Sequence, residues 1–263
     1  RAAPGPPLGE VLVLEGAIGS GKTWTQRRFA SFATDPAVRV MCVQADPFNR
    51  FKPFGTWVAL LSQYAAAKSL DSAEAFDPFM IPAPLSPPAL RAAIVSMLPS
   101  PLAHLAPLVA VLFDAGAADD KAAVDRIVPS VHRDLVSRVL LLSLLAGLMD
   151  TDGVPTAVIV DDAHYLDAAS WNVARDVATG GHSVLKLIAQ AAAAAAGGSS
   201  PTLPAGCDTY VNAIAQADFA TGQGLPLPGL LVMALRPYHH LLDGIMPRVP
   251  ANYVEFRKEH SVE

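Results

Sequence analysis

Near its amino terminus the chain reads Val11-Leu12-Val13-Leu14-Glu15-Gly16-Ala17-Ile18-Gly19-Ser20-Gly21-Lys22-Thr23. A run of apolar, strand-favouring residues ends in glycines, and Gly-Lys-Thr opens a segment with helical character. The fixed positions of the phosphate-binding loop pattern G-x-x-x-x-G-K-[ST] are filled by Gly16, Gly21, Lys22 and Thr23. The stretch therefore predicts a strand, a loop that binds the phosphates of a nucleoside triphosphate, and a helix.

Each residue type in this loop has a chemical reason. Glycines allow backbone conformations closed to other residues, so that the main chain can come close to a phosphate. Successive amides from Ile18 to Thr23 would form an anion-binding concavity at the positive end of the following helix. Lys22 would reach the β- and γ-phosphates, and the Thr23 hydroxyl would ligate Mg²⁺. The candidate nucleotide-binding residues are Gly16, Ala17, Ile18, Gly19, Ser20, Gly21, Lys22 and Thr23.

A second stretch, Thr156-Ala157-Val158-Ile159-Val160-Asp161-Asp162, predicts a buried parallel strand that delivers two carboxylates at its carboxyl end. An Asp-Asp turn after a strand is common by itself. Together with the phosphate-binding loop it predicts that Asp161 holds Mg²⁺, usually through water, and that Asp162 orients and polarises the attacking water.

A third stretch, Leu230–Leu235, predicts another buried strand, and Arg236-Pro237 follows it. An arginine at the same edge of the sheet as both phosphate motifs can contact the γ-phosphate. Arg236 is therefore a third candidate catalytic residue beside Lys22 and Asp162. The alternative is a surface arginine at the end of a strand.

The remaining pattern predicts one α/β domain over residues 10–263, preceded by a Pro- and Gly-rich linker over residues 1–9 and interrupted by a low-complexity insertion over residues 180–228. Asp167 is a plausible N-cap for the last helix before that insertion. We expect a strand over Val38–Val43 and an interruption between helices over Gly116–Asp120. Helices are expected at about Gly21–Ala33, Thr56–Lys68, Pro88–Leu98, Pro101–Phe113, Lys121–Met149 with an interruption near Pro129, Asp167–Thr179 and Ala251–Lys258.

Composition narrows the class of protein. The chain has 263 residues, of which 52% are hydrophobic and 16% are charged, and its net charge is −5. That charge, with no basic run, argues against contact with nucleic acid. The longest apolar run, Val139–Met149, is too short for a membrane span. Two distant cysteines, Cys42 and Cys207, favour reduced thiols in a cytoplasmic protein.

The motifs resemble those of the signal-transduction ATPases with numerous domains, a branch of the AAA-like P-loop ATPases. Glu15–Thr23 resembles their loop EGxxGxGKT, Asp161–Trp171 is similar to (D/E)DAxWxDxxSW, and Met233–Pro237 matches LATRP. Phe51–Trp57 and Leu105–Leu108 resemble segments that follow the catalytic domains of soluble adenylyl cyclase and related cyclases. Regulators of the LuxR type carry a similar domain. This chain departs at Tyr165, where tryptophan is usual, and in the length of residues 180–228.

The resemblance implies a three-layer P-loop fold, with a five-stranded parallel sheet, the two phosphate-motif strands adjacent, and helices on both faces. The fifth strand is expected to be missing or only begun near the end of this sequence. The resemblance also implies ATP and Mg²⁺ as ligands and Arg236 as a reader of the γ-phosphate. Cyclase, winged-helix or helical-repeat domains would be partners in the same longer chain. Because the first residue is not methionine, we expect this sequence to be a segment of such a chain.

Three functions compete at this stage. The first is an ATPase switch that hydrolyses ATP and so resets attached domains. The second is a nucleotide-binding regulatory module with little or no turnover, since the motifs support binding more firmly than hydrolysis. The third is a small-molecule kinase with the same loop. Two acids after one strand favour water as the acceptor, and no lid segment with clustered arginines is evident, which argues against a kinase.

Overall fold

The computed structural model describes residues 10–32, 38–69, 83–98, 100–128, 130, 133–149, 156–178, 230–235 and 254–255. The strands are β1 (Glu10–Glu15), β2 (Arg39–Gln44), β3 (Thr156–Asp161), β4 (Leu230–Leu235) and β5 (Val254–Glu255). The helices are α1 (Lys22–Phe32), α2 (Gly55–Ser69), α3 (Pro87–Ser96), α4 (Ala106–Leu112), α5 (Ala118–Ile127), α6 (Arg133–Met149) and α7 (Ala168–Ala178). Short 3₁₀ turns cover Pro47–Phe51, Ser100–Leu105 and Ala163–Tyr165.

The five strands form one sheet in the order β2-β3-β4-β1-β5, and every neighbouring pair is parallel. The predicted α/β fold is confirmed, but the expected adjacency of the two phosphate-motif strands is wrong. β4 lies between β1 and β3 and pairs with both, with Leu230 opposite Glu10 on one side and opposite Ala157 on the other. Strand neighbours are set by non-local pairing, so the acidic strand reaches the phosphate loop across an intervening strand.

Alternate residues of the strands enter two apolar layers, because successive side chains of a strand point to opposite faces. On one face, Ile159 of β3 and Leu14 of β1 cluster with Ala30 of α1. On the other face, Val158 and Val160 join a larger core that includes residues of α2, α6 and α7. The helices therefore cover both faces, as expected, and α1 lies on the opposite side of the sheet from α7.

Several helix boundaries differ from those expected. The helix expected over Pro101–Phe113 is a 3₁₀ turn followed by α4, because Pro107 has no amide hydrogen to continue a single α-helix through this region. The break expected over Gly116–Asp120 ends earlier, and α5 begins at Ala118. The Asp120 carboxylate accepts the Ala117 amide hydrogen at 2.8 Å and thereby caps the helix. The interruption near Pro129 is confirmed by the separation of α5 from α6.

The helix expected over Ala251–Lys258 is wrong at its centre. Val254–Glu255 is a two-residue strand that pairs in parallel with Leu14 and Glu15 of β1. Ladder hydrogen bonds to a neighbouring strand here outweigh the local helical tendency of a polar segment. The expectation of a fifth strand only begun near the end is confirmed. The linker over residues 1–9 and the insertion over residues 180–228 lie outside the described residues.

α6 explains the longest apolar run of the sequence. Val136 to Leu145 are all buried, so this helix is covered by protein on every face along that length. Among the helices that the structure describes, none combines the length and apolar character needed to cross a membrane.

The buried ion pair between α6 and α7 generates a stability prediction. Arg138 donates to Asp176 Oδ2 at 2.6 and 3.1 Å, and the two side chains are 4% and 0% exposed. Asp176→Ala removes the two close contacts of the buried guanidinium and leaves the exposed Asp134 carboxylate 4.0 Å away, so it should cost about 3–5 kcal/mol of unfolding free energy. Urea denaturation of the two proteins measures the difference.

The matched control is Asp125→Ala, another helical aspartate paired with an arginine. The Asp125–Arg133 pair is 57% and 38% exposed, so its loss costs at most about 1 kcal/mol. Equal losses for the two variants would contradict the importance assigned to the buried pair.

Candidate functional site

The candidate site lies where the parallel strands end. Because parallel strands present their carboxyl ends at one edge of a sheet, the segments after β1, β2 and β3 meet there. They bring the loop over Gly16–Gly21, Gln44 and the pair Asp161-Asp162 to the same edge. Arg236 follows β4 directly in sequence but lies outside the described residues, so its role stays a prediction.

The loop between β1 and α1 has the backbone that its glycines predict. Gly19 and Gly21 have φ values of 78° and 91°, which side chains other than glycine rarely adopt. A Cβ atom built on either residue would meet no heavy atom within 4 Å. Backbone conformation, rather than lack of space, is therefore the reason for glycine at both positions.

Lys22, at the start of α1, returns its ammonium group to the loop. Nζ donates to the carbonyl oxygen of Gly16 at 2.6 Å and to that of Ala17 at 2.9 Å. These contacts hold the positive charge beside the loop, where the partial positive charge of the α1 amino terminus adds to it. Ser20 Oγ is buried and makes no hydrogen bond within the part of the chain that the structure describes. The loop therefore combines an anchored cation with an unsatisfied polar atom.

Thr23 and Asp161 make the contact that joins the two motifs. Thr23 Oγ1 donates to Asp161 Oδ2 at 2.8 Å, although the residues are 138 positions apart in sequence. The other carboxylate oxygen, Oδ1, accepts the Asp162 amide hydrogen at 2.9 Å, which fixes the orientation of the group. A hydroxyl and a carboxylate are oxygen ligands of the kind that Mg²⁺ prefers, so these residues fit such an ion.

Asp162 stands just beyond the end of β3 with φ 51° and ψ 36°. This left-handed conformation is unfavourable for most residues, and aspartate tolerates it better than others. Its Oδ2 accepts a hydrogen bond from Gln44 Nε2 at 3.1 Å. The His164 ring lies 3.9 Å from Oδ1, and its side chain is only 4% exposed. This burial indicates that His164 is packed against the site rather than exposed to solvent.

Sequence reasoning missed Gln44. The strand was expected to end at Val43, but β2 continues to Gln44, which pairs in register with Asp161. A polar residue at the end of a strand was a visible signal. Its meaning depended on knowing that β2 neighbours β3, which no local pattern in the sequence reveals.

A buried polar cluster anchors the segment that follows the acids. Asp167 Oδ1 accepts the backbone amides of Ser170 at 2.9 Å and of Phe54 at 3.2 Å, which confirms its predicted capping of α7. The Trp57 indole donates to the Ser170 carbonyl oxygen at 2.9 Å. Five residues after Asp162, the chain is therefore attached to the start of α2 by buried hydrogen bonds.

Comparison with known proteins agrees with this geometry. The model of the AAA ATPase domain family matches residues 1–190, which include the loop, the acidic strand and α7. No curated protein and no solved structure matches the chain. The match covers well over half of the sequence and contains both motifs that meet at the sheet edge. This chain belongs to the AAA ATPase domain family.

Proposed function

We propose that this chain binds ATP with Mg²⁺ and hydrolyses it, and that it serves as the regulatory ATPase domain of a larger signalling protein. The observation that carries the proposal is the 2.8 Å hydrogen bond between Thr23 and Asp161. It brings together the two residues that a magnesium triphosphate site requires, from distant parts of the sequence. Membership of the AAA ATPase domain family supports nucleotide as the ligand.

The loop is assigned the phosphates. Backbone amides of this loop and of the α1 amino terminus would bind the anion, and the glycine conformations are those that such a loop needs. Of the amides expected to do so, that of Ser20 donates to the Ala17 carbonyl oxygen at 3.2 Å in this structure. When a triphosphate arrives, Lys22 exchanges its bonds to the Gly16 and Ala17 carbonyls for the β- and γ-phosphate oxygens. A charged donor that is already held beside the loop needs little rearrangement to do so.

We assign coordination of the magnesium ion to Thr23 and Asp161, and the Asp161 carboxylate would bind it directly or through water. An ion held by these residues would supply positive charge that offsets the negative charge developing on the phosphate oxygens. The existing hydrogen bond places the two oxygen donors side by side before any ligand binds. The Asp162 amide keeps the carboxylate in that orientation.

We assign to Asp162 the orientation and polarisation of the attacking water. Its carboxylate accepts from Gln44, which leaves oxygen lone pairs to accept a proton from water and holds the group at the mouth of the site. Gln44 thus acts as a positioning residue for Asp162. Arg236 would contact the γ-phosphate from the end of β4. Phosphoryl transfer to water asks the protein mainly for such positioning and charge stabilisation.

The regulatory part of the proposal rests on resemblance. Phe51–Trp57 and Leu105–Leu108 are similar to segments found where such a domain follows cyclase catalytic domains, which favours a protein whose nucleotide state biases the arrangement of attached domains. The two distant cysteines favour a cytoplasmic protein. Cyclase, winged-helix and helical-repeat domains are the partners that the motifs suggest. Any cyclase activity would belong to those domains rather than to this segment.

Lys22→Ala tests nucleotide binding. Loss of a charged hydrogen-bond donor to the phosphates should weaken ATP binding by about 10- to 100-fold. Isothermal titration calorimetry on the purified chain measures the effect. The control is Lys68→Ala, an exposed lysine in the last turn of α2, which should bind as the wild type does. Equal affinity in all three proteins would refute the assigned phosphate site.

Thr23→Val tests the metal site. The substitution keeps the shape of the side chain and removes the oxygen that faces Asp161, so the gain in ATP affinity on adding Mg²⁺ should fall towards zero. Titrations with and without Mg²⁺ give this gain directly. Thr25→Val is the matched control, since its hydroxyl contacts the Gly21 carbonyl instead. A magnesium dependence retained in Thr23→Val would contradict the assignment.

Asp162→Asn separates binding from turnover. The amide cannot take a proton from water, so phosphate release at saturating ATP should fall by about 10²- to 10⁴-fold while the Kd for ATP changes little. A single-turnover assay compares it with wild type and with Asp46→Asn, a control aspartate that follows β2 and accepts the Phe48 amide hydrogen instead. Unchanged hydrolysis in Asp162→Asn would remove its role. Absence of phosphate release in the wild type, despite tight ATP binding, would instead favour the non-hydrolysing module.

A further inference from the structure

Trp24 is unusual among the tryptophans of this chain. The chain has three tryptophans and the structure describes all of them. Trp57 and Trp171 are 1% and 8% exposed, whereas Trp24 is 69% exposed. An indole is a large apolar surface that proteins normally bury or use for contact with a partner. The exposed ring stands immediately after Thr23, at the start of α1.

The direction of side chains on a helix places this ring beside the phosphate loop. Long side chains in an α-helix lean towards the helix amino terminus, so each covers the surface over the preceding turn. For Trp24 that turn is the loop end at Ser20–Gly21. Ile18 on the same loop is also exposed, at 76%. An apolar surface therefore borders the loop on its solvent side.

The charge of α1 fits a polyanionic ligand at this border. The helix carries Lys22, Arg27 and Arg28 and no acidic residue. Arg27 and Arg28 lie three and four positions after Trp24, on the helix face that Trp24 occupies. A ligand that offers both negative charge and a flat apolar ring matches this combination, and a nucleoside triphosphate is such a ligand.

We propose that the indole of Trp24 is the platform on which the base of the bound nucleotide stacks. The inference rests on the proposed nucleotide site and adds the residue that recognises the nucleoside half of the ligand. With the terminal phosphates in the loop, the ribose and base lie outward, beside the first turn of α1. The exposed ring is then covered in the bound state, and stacking accepts any base because every base has a π face.

Two other exposed aromatic residues help to define the test. Phe48 and Phe51 are both 89% exposed on the 3₁₀ turn that follows β2. They follow β2 at the same edge of the sheet as the site, but β3 and β4 separate β2 from β1 and its phosphate loop. We therefore assign them no ligand and use Phe48→Ala as the control for loss of an exposed aromatic side chain.

Acrylamide quenching of tryptophan fluorescence tests the proposal without an activity assay. In the ligand-free protein only Trp24 is open to the quencher, so Trp24→Phe should lose the quenchable component. A non-hydrolysable imido analogue of ATP, with Mg²⁺, should protect Trp24. Inorganic tripolyphosphate with Mg²⁺ should leave it open, because that probe has phosphates and no base. Excitation at the red edge of the indole band avoids absorption by adenine.

Binding measurements give the second readout. Trp24→Ala should weaken binding of the ATP analogue by about tenfold or more, the effect expected for loss of one base–aromatic stack. It should leave tripolyphosphate affinity unchanged. Trp24→Phe should retain most of the affinity, and Phe48→Ala should match the wild type for both probes.

Three results would overturn the proposal: equal protection by the analogue and by tripolyphosphate, no protection by an analogue that binds, or equal loss of affinity for both probes in Trp24→Ala. If Lys22→Ala binds the analogue more weakly than wild type in the same experiments, only the stacking proposal fails and the proposed nucleotide site is retained. If wild type and Lys22→Ala bind the analogue equally, or neither binds it, both proposals fail together.

Discussion

The hydrogen bond between Thr23 and Asp161 is the contact on which the site depends. It joins the first residues of α1 to the last residue of β3, and no local feature of either segment would create it. The parallel sheet makes it possible by delivering both segments to one edge. β4 lies between the two strands, so the loop must reach across a strand to meet the acid. The geometry of the site is thus a property of the whole sheet.

The segment that follows Asp161 is held in place by buried hydrogen bonds. The Asp167 carboxylate accepts hydrogen bonds from a backbone amide of α7 and from the amide just before α2. In the same buried cluster, the Trp57 indole donates a hydrogen bond to the Ser170 carbonyl oxygen. Asp162, in its left-handed conformation, stands between this anchor and β3. Because the chain is fixed on both sides, the strained residue is held in place by its surroundings, which is the usual condition for strain at a functional site.

Features that depend on neighbouring residues in sequence could be predicted, and those that depend on strand neighbours could not. The loop, α1, α2, β3 and the cap at Asp167 follow from local chemistry: glycine conformations, apolar periodicity and a carboxylate at a helix start. The order of the strands, the contact of Gln44 with Asp162 and the pairing of Val254 with β1 depend on which strands lie side by side. Parallel pairing is compatible with several strand orders, and the order expected from the family resemblance placed the wrong strand beside β1.

The two halves of the site belong to opposite layers of the fold. Lys22 and Thr23 lie on α1, whose Ala30 packs on one face of the sheet. The segment after Asp162 packs on the other face, through Ala163 and Leu166, into the core shared with α2, α6 and α7. The sheet is therefore the rigid connection between the cation of the loop and the carboxylates. The Thr23–Asp161 contact joins the α1 layer directly to the last residue of β3, so a shift of α1 relative to the sheet would alter the site at this contact.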